Sequence, residues 1–356
     1  MIWNGLRGHT AQIDRFRRAV QRRRTAHAYA FIGPAGIGKR RVATTIAQCL
    51  FCQRVAEGEL DACKECSACR QVQAGTHPDL LTIGCPEGKR ELPIELVAGA
   101  SERRGREGLC HDLSLKPMSA DRRIAIIDDA QTLNEESANA LLKTLEEPPP
   151  GSILFLISTA ADGLLPTIRS RCQPVHFSPL AEDDVAALIR ELSWEDDLTH
   201  AREAAELSEG SLTTAHDLLD PELRHFRDEL QNCLVSVEMN PVEAAEKLME
   251  LVESQASDTP GQRQAAGWML AFAVRRFREL LRRAGAEDAA RDADVARLLQ
   301  QCGGDSRIAA DRLAGSIDRC VEADLHLQQM MPVSLCVAGW CDDLSRIQRG
   351  LLPLSG

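Results

Sequence analysis

Ala28-Tyr29-Ala30-Phe31-Ile32-Gly33-Pro34-Ala35-Gly36-Ile37-Gly38-Lys39-Arg40 is the stretch on which the fold turns. An apolar run of strand length enters a loop of the form G-x-x-x-x-G-K, and Arg41 to Leu50 continues with helical composition. Strand, Gly-rich loop and helix in this order make a phosphate-binding loop, in which backbone N–H groups and the helix dipole face an anion. One position departs from the pattern. The residue after Lys39 should be Ser or Thr, whose hydroxyl ligates Mg²⁺, but Arg40 stands there. A cation cannot ligate a metal, so the cradle is kept and a metal ligand is lost.

Two further strands extend the pattern. Arg123 to Asp129 is nearly continuous in apolar residues, and so is Ile153 to Ser158. Strands without alternation belong to a parallel sheet covered on both faces. A helix from Glu135 to Glu146 lies between them and stops at Pro148-Pro149-Pro150. Upstream, Gly8 to Arg24 reads as an Arg-rich amphipathic helix. After Phe177 the strand signals fade. Short helical patterns run from Leu180 to about Leu219. Longer helices follow, with breaks near Pro260-Gly261, Gly303-Gly304 and Pro332. The expected division is a nucleotide-binding-type core over 1–178, a small helical lid over 179–220 and an all-helical unit over 221–356.

The chain's 356 residues suffice for two or three domains. There is no charged-then-apolar leader and no apolar run long enough to span a membrane, so a cytoplasmic protein is expected. A net charge of −11 argues against a wholly basic nucleic-acid binder. Thirteen cysteines in such a chain suggest metal binding before disulfides. Cys52, Cys63, Cys66 and Cys69 are spaced C-x10-C-x2-C-x2-C, which can close a tetrahedral thiolate site for structural zinc in a module at about 49–72. Cys49 competes for the fourth place but sits in an apolar helical stretch. The polar residues around the four suggest that they are not core positions.

Asp128-Asp129 ends the second strand, where the first carboxylate would orient a metal shell and the second, normally Glu, would polarise the attacking water. Asp129 is one methylene shorter, which places its oxygens roughly 1.5 Å short of such a water. Ser170-Arg171-Cys172 follows the third strand. A guanidinium there has the chemistry of an arginine finger, although an isolated exposed arginine is more often simply solvated. Trp268 to Arg283 interleaves Leu270, Val274, Phe277 and Leu281 with Arg275, Arg276, Arg278, Arg282 and Arg283. The favoured reading is a packed helix with a solvated cationic face, and the other is a DNA phosphate contact.

Together, the Gly-rich loop behind His27-Ala28-Tyr29, the four-cysteine insertion, Ile127-Asp128-Asp129-Ala130, the run from Asn139 to Pro149 and Ser170-Arg171-Cys172 resemble bacterial DNA polymerase III clamp-loader subunits of the AAA+ superfamily. The resemblance is dense over about residues 5–180 and only architectural beyond. It implies an α/β AAA+ core with a parallel sheet and a zinc-binding insertion, then a helical lid and a helical collar. Two sister types share these motifs, the ATP-hydrolysing gamma/tau type and the delta-prime type. Arg40, Asp129 and Thr213 (in Gly210-Ser211-Leu212-Thr213-Thr214-Ala215, which resembles the sensor 2 segment) each depart from the active type. His77-Pro78-Asp79-Leu80 and Ser114-Leu115-Lys116-Pro117 also resemble delta prime.

That resemblance implies a stator that helps load the sliding clamp on primed-template DNA beside gamma/tau and delta subunits. Arg171 would serve an adjacent ATP site in trans. Gly33, Gly36, Gly38, Lys39, Arg40, Asp128 and Asp129 would form a degenerate nucleotide site, holding ATP or ADP statically or not at all. Little ATP turnover is expected of the chain alone. The rival readings are an active gamma/tau-type ATPase and a zinc-dependent DNA-binding protein.

Overall fold

Ala28–Ile32 (β1) is buried along its whole length, as a run of five residues without polar alternation requires. It lies inside a parallel sheet with Leu80–Ile83 (β2), Ile124–Ile127 (β3), Ile153–Ser158 (β4) and Gln173–His176 (β5), in the order β2-β3-β4-β1-β5. Ala28 pairs with Leu154 and Tyr29 with Gln173, so the loop after β1 leaves from the C-terminal edge of a central strand. That edge, between strands not consecutive in sequence, is where open α/β sheets place their ligands. The protein is seen here as a computed structural model describing residues 2–86, 89, 91–234, 240–284 and 293–351.

Two layers of side chains cover the sheet. On one face Tyr29, Phe31 and Phe155 pack with Phe16 of Thr10–Gln21 (α1) and with Val42, Ile46 and Cys49 of Lys39–Phe51 (α2). The four-cysteine insertion, with helix Ser67–Gln73 (α3), joins this layer. On the other face Ala30, Ile127 and Leu156 meet residues of Ile94–Ala98 (α4), Leu109–Ser114 (α5), Glu135–Glu146 (α6) and Pro166–Arg169 (α7). Helix α6 has the bounds its sequence suggests. Asn134 caps it, its side chain accepting from the Ser137 N–H.

Glu182–Glu191 (α8), Leu198–Leu207 (α9) and Leu212–Leu218 (α10) pack on one another, and the compact unit they complete spans Met1–Leu219. A second unit, Asp220–Gly356, contains Pro221–Leu234 (α11), Pro241–Gln255 (α12), Thr259–Ala284 (α13), Ala293–Gln301 (α14), Ser306–Gln328 (α15) and Val333–Gln348 (α16). Within it α13 packs along α15, and α16 against α12 and α15. The Pro260-Gly261 break falls inside the first turn of α13, where a proline is tolerated because its missing N–H would have no partner anyway. In the arginine-rich stretch, Arg276 is bound to Glu279 and Asp294, and Arg283 to Glu279. No helix among the described residues is long and apolar enough to cross a membrane.

Candidate functional site: a self-paired nucleotide cleft and a thiolate cluster

The loop after β1 turns into α2 through Gly36 (φ +72°) and Gly38 (φ +92°), backbone conformations that a side chain would strain. At Gly36 space forbids a side chain as well. A Cβ there would lie 2.1 Å from the Ser211 Oγ and 2.9 Å from the Thr213 Oγ1. The Leu212 N–H donates to the Gly36 carbonyl at 2.9 Å. The start of α10 is therefore seated directly on the phosphate loop. Thr213 is part of that seat. Buried His9 holds the other side. Its Nε2 lies 2.6 Å from the Ile37 carbonyl, which can only accept, so Nε2 carries the proton.

Lys39 is buried, and its ammonium donates to the carbonyls of Gly33 at 2.6 Å and Pro34 at 2.5 Å. Burial lowers its pKa, and the charges of Asp128 and Asp129 oppose that shift. Arg40 Nη1 lies 3.3 Å from Asp128 Oδ2. The Asp128 carboxyl is raised above its ordinary value by burial and by the neighbouring Asp129 charge, with Arg40 pulling the other way. Asp129 adopts a left-handed backbone (φ +52°), and its carboxylate accepts from Gln131 Nε2 at 3.1 Å. Arg40, Asp128 and Asp129 line one open cleft of about 960 Å³ with Ala35, Lys39 and Thr213.

Mg²⁺ does not fit this donor set. The hydroxyl ligand is missing, and a guanidinium already pairs with the carboxylate that would organise the metal's shell. No step through Mg²⁺ follows for this chain.

Arg171 does not line the cleft. It follows α7 on a turn anchored by buried Cys172. Its Nη2 pairs with Glu146 Oε1 at 2.6 Å, at the end of α6, and its Nη1 donates to the Thr167 carbonyl at 3.0 Å. The guanidinium is thus held on the surface in a defined direction. Neighbouring Arg169 pairs with Asp162 at 3.1 Å.

Cys52, at the C-terminal end of α2, comes together with Cys63, Cys66 and Cys69, and their sulfurs all lie within 4.8 Å of one another. Cys63 and Cys69 Sγ are 3.9 Å apart. A tetrahedron built on Zn–S bonds of about 2.3 Å has edges of about 3.8 Å, so the quartet matches the size of a thiolate zinc cage. The N–H groups of Cys63, Cys66 and Cys69 point at the sulfurs of Cys52, Cys63 and Cys66, at 3.4, 3.3 and 3.4 Å. Such donors favour thiolates, and the Cys66 N–H in particular brings the Cys63 thiol down to about 6. Cys49 lies outside the quartet, and burial pushes its thiol up. One expectation needs correction. Cys66 and Cys69 are buried and pack with the sheet's core, because the polar residues around them cover the module's outer side only.

Sequence reading overlooked His9, Ser211 and Glu146 as parts of these sites. The His77 and Lys116 segments, noted only for their resemblance, prove to be joined. The buried Asp79 carboxylate accepts the N–H groups of Met118, Ser119 and Ala120 at 2.7, 2.8 and 2.9 Å. Arg123 beside it, its Nε 3.6 Å from Asp79 Oδ1, donates to the carbonyls of Asp112 and Lys116. An acid and an arginine far apart in sequence carry no periodicity that would reveal such a pair.

Residues 8–181 match the family described as DNA polymerase III, delta subunit. The DNA polymerase III subunit delta' of Pseudomonas aeruginosa is 37% identical over 203 residues, covering 57% of this chain and 58% of the relative. That of Escherichia coli is 33% identical over 194 residues, 54% of each chain. The E. coli subunit tau is 28% identical over 248 residues, 68% of this chain and 36% of the relative. The chain therefore spans little more than half the length of the delta' relatives. The phosphate loop, the thiolate cluster and the Ser170-Arg171-Cys172 turn all fall within residues 8–181, the stretch over which the chain is similar to that family.

Proposed function

We propose that this chain is the stator of a clamp loader, assembling with gamma/tau and delta subunits to place a sliding clamp on primed-template DNA. Arg171 then acts in trans on the ATP site of a neighbouring gamma/tau subunit. The observation that carries this reading is the split between the two halves of the chemistry. The chain's own cleft pairs Arg40 with Asp128 where a metal is needed, while Arg171 is held outside that cleft by Glu146 and Thr167. A surface guanidinium fixed in this way can stabilise charge on a phosphoryl group supplied by another subunit.

The four thiolates hold a structural zinc ion. All four coordination places belong to protein sulfur, so no open position remains for chemistry.

The intact loop and Lys39 favour one alternative, a gamma/tau-type ATPase. Steady-state ATP turnover by the purified chain separates the two. A stator gives a rate indistinguishable from background, whereas a Mg²⁺-dependent rate abolished by Lys39→Ala establishes the motor.

A further inference from the structure

We infer that the cleft is a metal-independent polyphosphate site, in which Arg40 takes the place of Mg²⁺ in binding a nucleoside di- or triphosphate. The phosphate loop keeps its form: Gly36 and Gly38 hold positive φ, and His9 pins the Ile37 carbonyl. Three consecutive cations, Lys39, Arg40 and Arg41, line the cleft at the N-terminal end of α2, a helix of 13 residues. The Arg40 side chain is 63% exposed while its Nη1 lies 3.3 Å from Asp128 Oδ2. Its guanidinium therefore stands beside the very carboxylate that would otherwise organise a metal, with donors left over for a ligand.

Two consequences follow from electrostatics. A divalent ion brought beside Asp128 would meet a fixed positive charge, with Arg40 standing where the loop's hydroxyl ligand belongs, so the metal loses its role. A polyphosphate no longer needs the metal, because its charge is met by Lys39, by the planar fork of Arg40 and by the loop N–H groups. Lys39, now on the Gly33 and Pro34 carbonyls, is within the loop and has only to exchange those acceptors for phosphate oxygens. Binding without the metal is binding without turnover. This inference concerns the chain's own cleft and stands whether or not the chain serves as a stator.

The test is calorimetric titration of the full chain with ADP, and separately with ATP, in MgCl₂ and in excess EDTA. The expected result is measurable affinity, with dissociation constants in the two conditions agreeing within about threefold. Arg40→Ser restores the hydroxyl and frees Asp128, so that variant is expected to lose about tenfold or more in affinity when EDTA replaces Mg²⁺. Lys39→Ala loses binding in both conditions, and the far-ultraviolet circular dichroism of both variants confirms folding. Absence of binding by the wild-type chain in both conditions overturns the inference. So does wild-type binding that requires Mg²⁺.

Discussion

Arg40 shows how one side chain can change what a site is for. In the position of a metal-ligating hydroxyl it is more than a missing ligand, because it pairs with Asp128, the carboxylate a metal would need. Asp79 is a second residue whose environment decides its behaviour. Burial disfavours its carboxylate, but the N–H groups of Met118, Ser119 and Ala120 outweigh that, and its pKa is lowered. A lowered folded-state value means that the stabilisation is fully present above the unfolded value and is lost as pH falls through the folded one. Asp79→Asn is therefore expected to cost about 2 kcal/mol at neutral pH. The gap to wild type should narrow as pH falls below about 4, a trend that urea melts across that range will read. A gap unchanged with pH would assign the loss to packing rather than to charge.

At the scale of elements, the buried strands were plain in sequence and the edge strands were not. β1, β3 and β4 are continuous apolar runs, and their places follow from that alone. β2 is only half buried at the sheet's edge, and β5 contains Pro174, so neither shows a strand's usual signal. The quartet of cysteines was legible from spacing. Its depth against the core was not, because burial there depends on how the insertion folds back over α2.

Two predictions belong at this scale. Purified chain should carry about one zinc per molecule, and chelation or Cys69→Ser should unfold the module around α3, with loss of amide protection there by hydrogen exchange. Well under half an equivalent of metal after gentle purification would contradict the assignment. The seat of α10 on the phosphate loop gives the second. Gly36→Ala drives a Cβ towards the Ser211 Oγ at a residue with φ +72°. A loss of about 1–3 kcal/mol is expected, read as a lowered Tm. Pairing it with Ser211→Gly should recover part of the loss, because the contact with the Ser211 Oγ disappears while the close approach to Thr213 and the backbone strain stay. No recovery would mean that the Ser211 contact contributes nothing and that the loss lies in Thr213 and the backbone.

At the scale of the whole molecule, the proposed stator role has the chain's retained chemistry work on another subunit's nucleotide and not on its own. The exposed Arg171–Glu146 pair contributes less than about 1 kcal/mol to stability, so Arg171→Ala should fold and assemble normally. Native mass spectrometry of the complex with gamma/tau and delta will establish that before any rate is compared. An arginine finger is worth on the order of 10³–10⁵ in rate at its own site, but a ring with several active sites dilutes that loss in bulk. The most direct measurement is the clamp- and primed-DNA-stimulated ATPase of fully assembled complexes containing wild-type chain, Arg171→Ala or Lys39→Ala. A depressed rate is expected for Arg171→Ala and a wild-type rate for Lys39→Ala. A wild-type rate for Arg171→Ala, with the loss appearing in Lys39→Ala instead, would contradict the stator role.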